Sequence, residues 1–409
     1  MASKSLGGFF KSFLAQESIF ANKKAMQVSF VPDQIAHRDE HINQIAEILA
    51  PSLKLEKPSN LFIYGKTGTG KTLSVKYTTE QISEVAKEND IPIKIMYINC
   101  KLKKVADTEY RLIAEIARNL GKTIPATGLP TDEVYNIFYQ ALDESEQLLI
   151  LVLDEIDQLI KKTGDEIIYN LTRINSELKQ AQISIIGISN DLMFANHIDP
   201  RVKSSLSEEE VLFHPYNALQ IQDILRKRCE QAFKPGKIDD GVIPKCSAYA
   251  AREHGDARRA IDLLRVAGEL AERTKDEKVM IKHIDLAEEK IERERIVDVV
   301  KTQPKQFQAV LFAVFSLLNN QKVKNKKRAI FTGDVYDIYK ERCSEMGLRP
   351  ITQRRISDII AELDMLGLIN AKVISKGRFG RTREIHLAIP SHLLDKVFLI
   401  LAQELGVDN

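Results

Sequence analysis

The chain of 409 residues has no tryptophan and only four cysteines. Those cysteines, Cys100, Cys229, Cys246 and Cys343, lie far apart and show no CxxC spacing. That excludes the usual zinc frameworks and fits reduced thiols inside a cell. No run of about 18 apolar residues occurs, so no membrane span and no membrane partner is expected. The opening stretch, MASKSLGGFFKSFLAQESIF, lacks an unbroken apolar segment and a small-residue cleavage site. It is not read as a secretory signal. Neither an internal repeat nor a low-complexity segment is evident, which sets solenoids and arrays aside.

What the chain has is length, ordinary hydrophobicity and an uneven charge. Its length exceeds one compact core and suggests two or three domains. Residues 301–390 carry 17 Lys/Arg against 8 Asp/Glu, a balance of +9, so the rest of the chain carries −7. A basic segment on a mildly acidic body either meets a polyanion or forms a solvated basic surface.

Four short apolar runs stand out: LFIY at 61–64, IKIMYI at 93–98, LLILVL at 148–153 and ISIIGI at 183–188. Apolar runs without alternation read as strands buried on both faces of a parallel sheet. Helical patterns lie between them, from Thr72 to Lys87 and from Thr108 to Asn119. Alternation of this kind predicts an α/β core. From Asn217 onward helical periodicity takes over, and Gly255 or Asp256 begins the helix ARRAIDLLRVAGELAERT. The last hundred residues suggest three helices and then a hairpin, LINAKVIS and TREIHLAI flanking KGRFGR. The domains read from this are an α/β nucleotide-binding domain over 1–216, a helical lid over 217–300 and a DNA-binding domain over 301–409.

The sharpest motif is Gly65-Lys66-Thr67-Gly68-Thr69-Gly70-Lys71-Thr72, which matches GxxxxGK[ST] between an apolar strand and a helix. Glycines let the loop turn tightly and aim its N–H groups at phosphates. Lys71 is expected to reach the β and γ phosphates of ATP or ADP, and Thr72 to place its hydroxyl on Mg²⁺. LLILVLDEID sets Asp154 and Glu155 at the end of the most apolar strand, the edge where open α/β sheets bind ligands. Asp154 is expected to hold Mg²⁺, mainly through water, and Glu155 to polarise the attacking water. Asp157 is expected to cap the next helix or lie in solvent.

The P-loop with DEID resembles the AAA+ ATPases. Within that resemblance, Asn190 of ISIIGISND corresponds to sensor 1, which orients the lytic water. Arg258 of GDARRAIDLLR corresponds to the sensor-2 arginine that reaches the γ-phosphate from the lid. The segment FVPDQIAHRDEHINQI, from Phe30 to Ile45, is similar to the one that packs on adenine. Together with DPRVKSSL and a C-terminal winged helix, these features resemble the archaeal origin-recognition (Orc-type) replication initiators over about residues 15–395. The resemblance implies recognition of origin DNA, help in loading the MCM helicase, initiator paralogues as partners on DNA and a nucleoid-associated cytoplasmic location. It also implies nucleotide contacts from Tyr216 and Arg228, although Tyr216 equally suits a core aromatic at a domain junction. One departure matters: Ser205 stands where such proteins often carry an arginine finger. Arg201, four residues earlier, is either a substitute, a structural arginine or a phosphate-facing one. A missing finger removes a large term in phosphoryl transfer, so slow hydrolysis acting as a switch is expected.

In the C-terminal segment, Thr352, Gln353, Arg354 and Arg355 open a helix whose apolar face is Ile356, Ile359, Ile360, Leu363 and Leu366. The N-terminal end of such a helix is where helix-turn-helix relatives touch DNA. Lys376, Arg378, Arg381 and Arg383 on the hairpin are candidates for a phosphate backbone or a narrow minor groove. The other use of such a domain is protein contact. Lys122, Thr123 and Thr127 lie in a segment that approaches DNA in the initiators, or else in a plain surface loop. A second overall reading is a P-loop ATPase that regulates transcription through its winged helix.

Overall fold

A computed structural model describes residue 14 and residues 17–27, 30–32, 34–101, 106–125, 127–194, 198–206, 208–253, 255–323, 329–375 and 381–407. Side chains are described throughout these except at 319–323 and 381. The chain divides into two compact units, 1–284 and 285–409.

The first unit is built on five parallel strands: β1 (Leu61–Gly65), β2 (Ile93–Asn99), β3 (Leu148–Asp154), β4 (Gln182–Ser189) and β5 (Glu209–Phe213). Their order is β2-β3-β4-β1-β5. The four apolar runs are strands, and β1, β3 and β4 are buried on both faces as expected, whereas β2 lies at an edge of the sheet and buries only Met96 and Ile98. Leu149, Leu151 and Leu153 pack with Phe62 and Ile185 in one core. Ile150 and Val152 face the other way, with Leu61, Ile63 and Ile186. Each such side chain stabilises by about 1.5–3 kcal/mol. Strand β5 was not among the expected strands. Its sequence, EEVLF, starts with two exposed glutamates because it closes an edge of the sheet, and only Val211 and Phe213 are buried.

Around the sheet lie α1 (Asp39–Leu49), α2 (Lys71–Glu88), α3 (Glu109–Asn119), α4 (Thr131–Leu142), α5 (Ile156–Thr163), α6 (Glu166–Arg173) and α7 (Pro200–Leu206). The lid follows as α8 (Ala218–Ala232), α9 (Val242–Arg252) and α10 (Ala257–Thr274). Asn217 and Gln220 form a reciprocal capping box that starts α8. Asp256, rather than Gly255, starts α10: its carboxylate accepts from the N–H groups of Arg258 and Arg259 at 2.8 and 3.3 Å.

Helix α11 (Ile281–Thr302) begins in the first unit and ends in the second, where Ile296 and Val300 enter the second core. That unit continues with α12 (Lys305–Val323), β6 (Ile330–Phe331), α13 (Thr332–Cys343), α14 (Gln353–Met365), β7 (Ile369–Ser375), β8 (Arg381–Leu387) and α15 (Leu394–Leu405). Its sheet is antiparallel in the order β6-β8-β7, with β7 and β8 as the wing. Ile356, Ile359, Ile360 and Leu363 are buried as expected, but Leu366 is 38% exposed. Leu366 caps the helix, so the helical spacing no longer applies to it, and Leu368 enters the core instead. No described helix is long and apolar enough to cross a membrane.

Candidate nucleotide site and nucleic-acid face

Strand order brings the phosphate-site residues together. The P-loop leaves β1 and Asp154 ends β3, while β4 lies between those strands and delivers Asn190 to the same edge. Lys71 is only 4% exposed. Its ammonium donates to Gly65 O at 2.7 Å, Lys66 O at 2.8 Å and Asn190 Oδ1 at 2.8 Å. Burial pushes it down to about 8, with the nearby Arg258 charge adding to the effect. Thr69 Oγ1 also donates to Lys66 O, at 2.9 Å, while Thr67 forms the exposed tip of the loop.

Thr72 Oγ1 donates to Asp154 Oδ2 at 3.0 Å, and the Tyr97 hydroxyl donates to the same oxygen. The Glu155 N–H donates to Asp154 Oδ1 at 2.9 Å. This hydroxyl-and-carboxylate set has the hard oxygen chemistry that Mg²⁺ takes. Glu155 has a left-handed backbone, φ 55°, uncommon for a residue with a side chain. Its carboxylate stands 3.6 Å from the Lys101 ammonium. Asp157 takes neither place expected of it. It is 3% exposed, in the first turn of α5, and accepts from Ser189 Oγ at 3.3 Å. Glu155 holds the cap position, which leaves Asp157 inside the helix and turned to β4.

Two hollows meet here. One, of about 250 Å³, is lined by the P-loop, Tyr97, Asp154, Glu155, Asn190 and Arg258. The other, of about 480 Å³, is lined by Phe30, Val31, Pro32, Ile35 and Ala36 on one side and by Ile224, Arg228 and Ile261 of the lid on the other. Gly68, Gly70, Thr72, Lys76 and Arg258 line both, so a polar end runs into an apolar one. That is the shape for a ligand with a flat apolar head and an anionic tail. The lid rests directly on the loop. Ala257 N–H donates to Gly68 O at 3.3 Å, and a Cβ at Gly68, where φ is +72°, would stand 1.7 Å from Asp256 Oδ1.

Tyr216 and Arg228 both line the larger hollow. Arg228 uses its guanidinium to hold the N-terminal segment, donating to Ala25 O at 2.9 Å and Phe30 O at 3.2 Å. Tyr216 is 5% exposed and lies 3.8 Å under the guanidinium of Arg38. Arg38, itself 3% exposed, donates to Thr69 O at 2.8 Å and His214 O at 2.6 Å, tying the P-loop to the end of β5. Arg201 lines neither hollow. It is exposed and pairs with Asp199 at 3.0 Å. Sequence reasoning missed Arg38, Tyr97 and Asp256 as members of the site. Arg38 stands within the segment quoted for adenine, and Asp256 within GDARRA, but no spacing rule marks Tyr97.

In the second unit Thr352, Gln353, Arg354 and Arg355 are all exposed at the start of α14. Thr352 caps the helix, and Arg355 pairs with Glu362 at 3.3 Å. A hollow of about 470 Å³ runs between this end and the wing, lined by Gln353, Arg354, Ser357, Val373, Thr382 and Arg383, among others. Arg383 donates to Ser357 O at 2.6 Å and so braces the wing against the helix. Lys376 and Arg378 lie outside the described residues, as does the side chain of Arg381. In the first unit Lys122 pairs with Glu144 at 3.0 Å, while Thr123 and Thr127 are exposed.

Comparison with known proteins agrees with this architecture. Three family models match: an AAA domain at 55–192, a Cdc6 AAA+ ATPase-type lid domain at 222–289 and a CDC6 C-terminal winged helix domain at 298–397. An ORC1-type DNA replication protein of Pyrococcus horikoshii is 52% identical, covering 96% of this chain and 93% of that protein. ORC1-type DNA replication protein 1 of Methanosarcina mazei is 48% identical, covering 97% and 94%. The Aeropyrum pernix ORC1 protein, solved in complex with DNA, superposes with a TM-score of 0.82 at 42% identity, over 95% of this chain and 98% of that one. A P-loop core, a lid seated on it and a winged helix, carried at this identity along nearly the whole chain, mean that the protein belongs to the ORC1-type DNA replication protein family.

Proposed function

We propose that this protein is an ATP-controlled initiator that recognises double-stranded origin DNA and helps recruit or load the MCM helicase. The supporting observation is the contact of the α10 N-terminus with Gly68, through which lid position would respond to what the P-loop holds. Mg·ATP would sit with its base in the apolar hollow and its phosphates against Lys71, Thr72 and Arg258. Bound Mg²⁺ would neutralise charge on the phosphate oxygens. Asn190 accepts from the Lys71 ammonium and would orient the lytic water, and Glu155 would polarise it. The Glu155 carboxylate has Lys101 beside it, and Arg201 is engaged with Asp199. Both features favour slow hydrolysis, and hence a switch over a motor.

On DNA, Thr352, Gln353 and Arg354 would meet base edges and phosphates, and the wing would follow the backbone. The 42% identical Aeropyrum protein solved with DNA supports this assignment. Lys122, Thr123 and Thr127 would add a weaker contact from the first unit, and initiator paralogues would bind nearby on the same DNA. Footprinting on genomic DNA under salt titration tests the reading. Protection of a defined repeat beside replication start sites is expected, with affinity falling steeply as salt rises. Protection confined to promoters would favour the transcription-regulator reading, and sequence-blind binding would contradict both.

A further inference from the structure

Beside the P-loop, one side chain serves no role assigned so far. Tyr97 lies on β2, and its strand partner β3 ends at Asp154. Its hydroxyl donates to Asp154 Oδ2, the oxygen that also accepts from Thr72 at 3.0 Å. Glu155 N–H occupies Oδ1 at 2.9 Å. An ionised carboxylate offers about four lone-pair positions. Three protein donors therefore leave roughly one position open, for a water on a metal ion. With donors on both oxygens the carboxylate cannot turn about its own bond. The ring of Tyr97 is fixed in turn, because the Lys76 ammonium stands 4.4 Å above its centroid.

We propose that Tyr97 is a positioning residue for the metal of the nucleotide site, fixing the Asp154 carboxylate so that one lone pair faces the metal's water. The inference rests on the nucleotide reading above. It assigns to Tyr97 the place of an outer partner, a hydrogen-bond donor that orients a metal-facing carboxylate without touching the ion.

The test is Tyr97→Phe in the full chain, which keeps the ring and removes only the donor. Binding of fluorophore-labelled ADP is followed in EDTA and then across a Mg²⁺ titration, with Thr72→Ala as the reference for loss of a direct metal contact. The Mg²⁺ concentration at half-effect is expected to rise about tenfold in Tyr97→Phe, while affinity in EDTA stays within about twofold of wild type. A Mg²⁺ midpoint that does not move, or that falls, overturns the proposal. So does an equal loss of affinity in EDTA and in Mg²⁺, which marks a purely structural role. If wild type binds the labelled ADP in neither buffer, the nucleotide reading itself fails, and the proposal with it.

Discussion

In the phosphate crevice the Lys71 ammonium is buried and gives all three of its protons to the protein, whereas at the start of α14 Arg354 stands in solvent. The first arrangement is preorganised. Its cation is held in place before a ligand arrives, and the cost of burying charge is met by folding. The second costs little in the free protein and would gain its energy from counterions released by DNA. Arg355 and Arg383 fall between the two, since Glu362 and Ser357 already engage them. The proposed switch would have one rigid end and one responsive end, each built from different chemistry.

Removing the preorganised cation is expected to have the largest effect. Lys71→Ala is expected to weaken ADP binding about 100-fold, or about 3 kcal/mol, by calorimetric titration. A loss under about fivefold would mean that backbone N–H groups carry the phosphates alone. Next comes the contact of loop and lid. Gly68→Ala puts a side chain at φ +72° and against Asp256. Left-handed strain and a disturbed helix cap together cost about 2 kcal/mol, so ADP release by stopped flow is expected to quicken about 30-fold. An unchanged release rate would separate lid position from nucleotide retention.

The exposed cations are expected to matter less individually. Arg354→Ala is expected to weaken binding to the protected repeat about tenfold in a gel-shift titration and to leave ADP affinity alone. A matching loss of ADP binding would break the division of labour described above. Smallest is Lys122→Ala. Its surface pair with Glu144 contributes about 0–1 kcal/mol, and a change of DNA affinity below about twofold is expected. A tenfold loss there would make the segment around 121–131 a principal DNA contact.

Much of this was legible in the sequence, because the P-loop and the strand end at Asp154 carry their chemistry within a few residues. A strand buried on both faces shows as an unbroken apolar run, as β1, β3 and β4 did, while β2, an edge strand with Lys94 exposed, showed as an interrupted one. Strand β5 escaped because an edge strand tolerates Glu209 and Glu210. Partners distant in the chain were not legible. Arg38 meets His214 across 176 positions, and Tyr97 meets Asp154 across 57. Only the sheet order brings them together. Leu366 and Asp157 show the opposite limit: the periodic rule was carried one residue past the end of a helix, and the capping rule two residues past the cap, Glu155.

In the proposed switch the nucleotide in the first unit governs DNA binding by the second. Fluorescence anisotropy with the footprint-defined repeat, at one fixed salt concentration, tests it most directly when run with ATP, with ADP and without nucleotide. Affinities with ATP and ADP are expected to differ about tenfold, with ADP affinity shifted by the same factor when DNA is bound. Equal DNA affinity in all three conditions would contradict the claim and leave two independent binding sites on one chain.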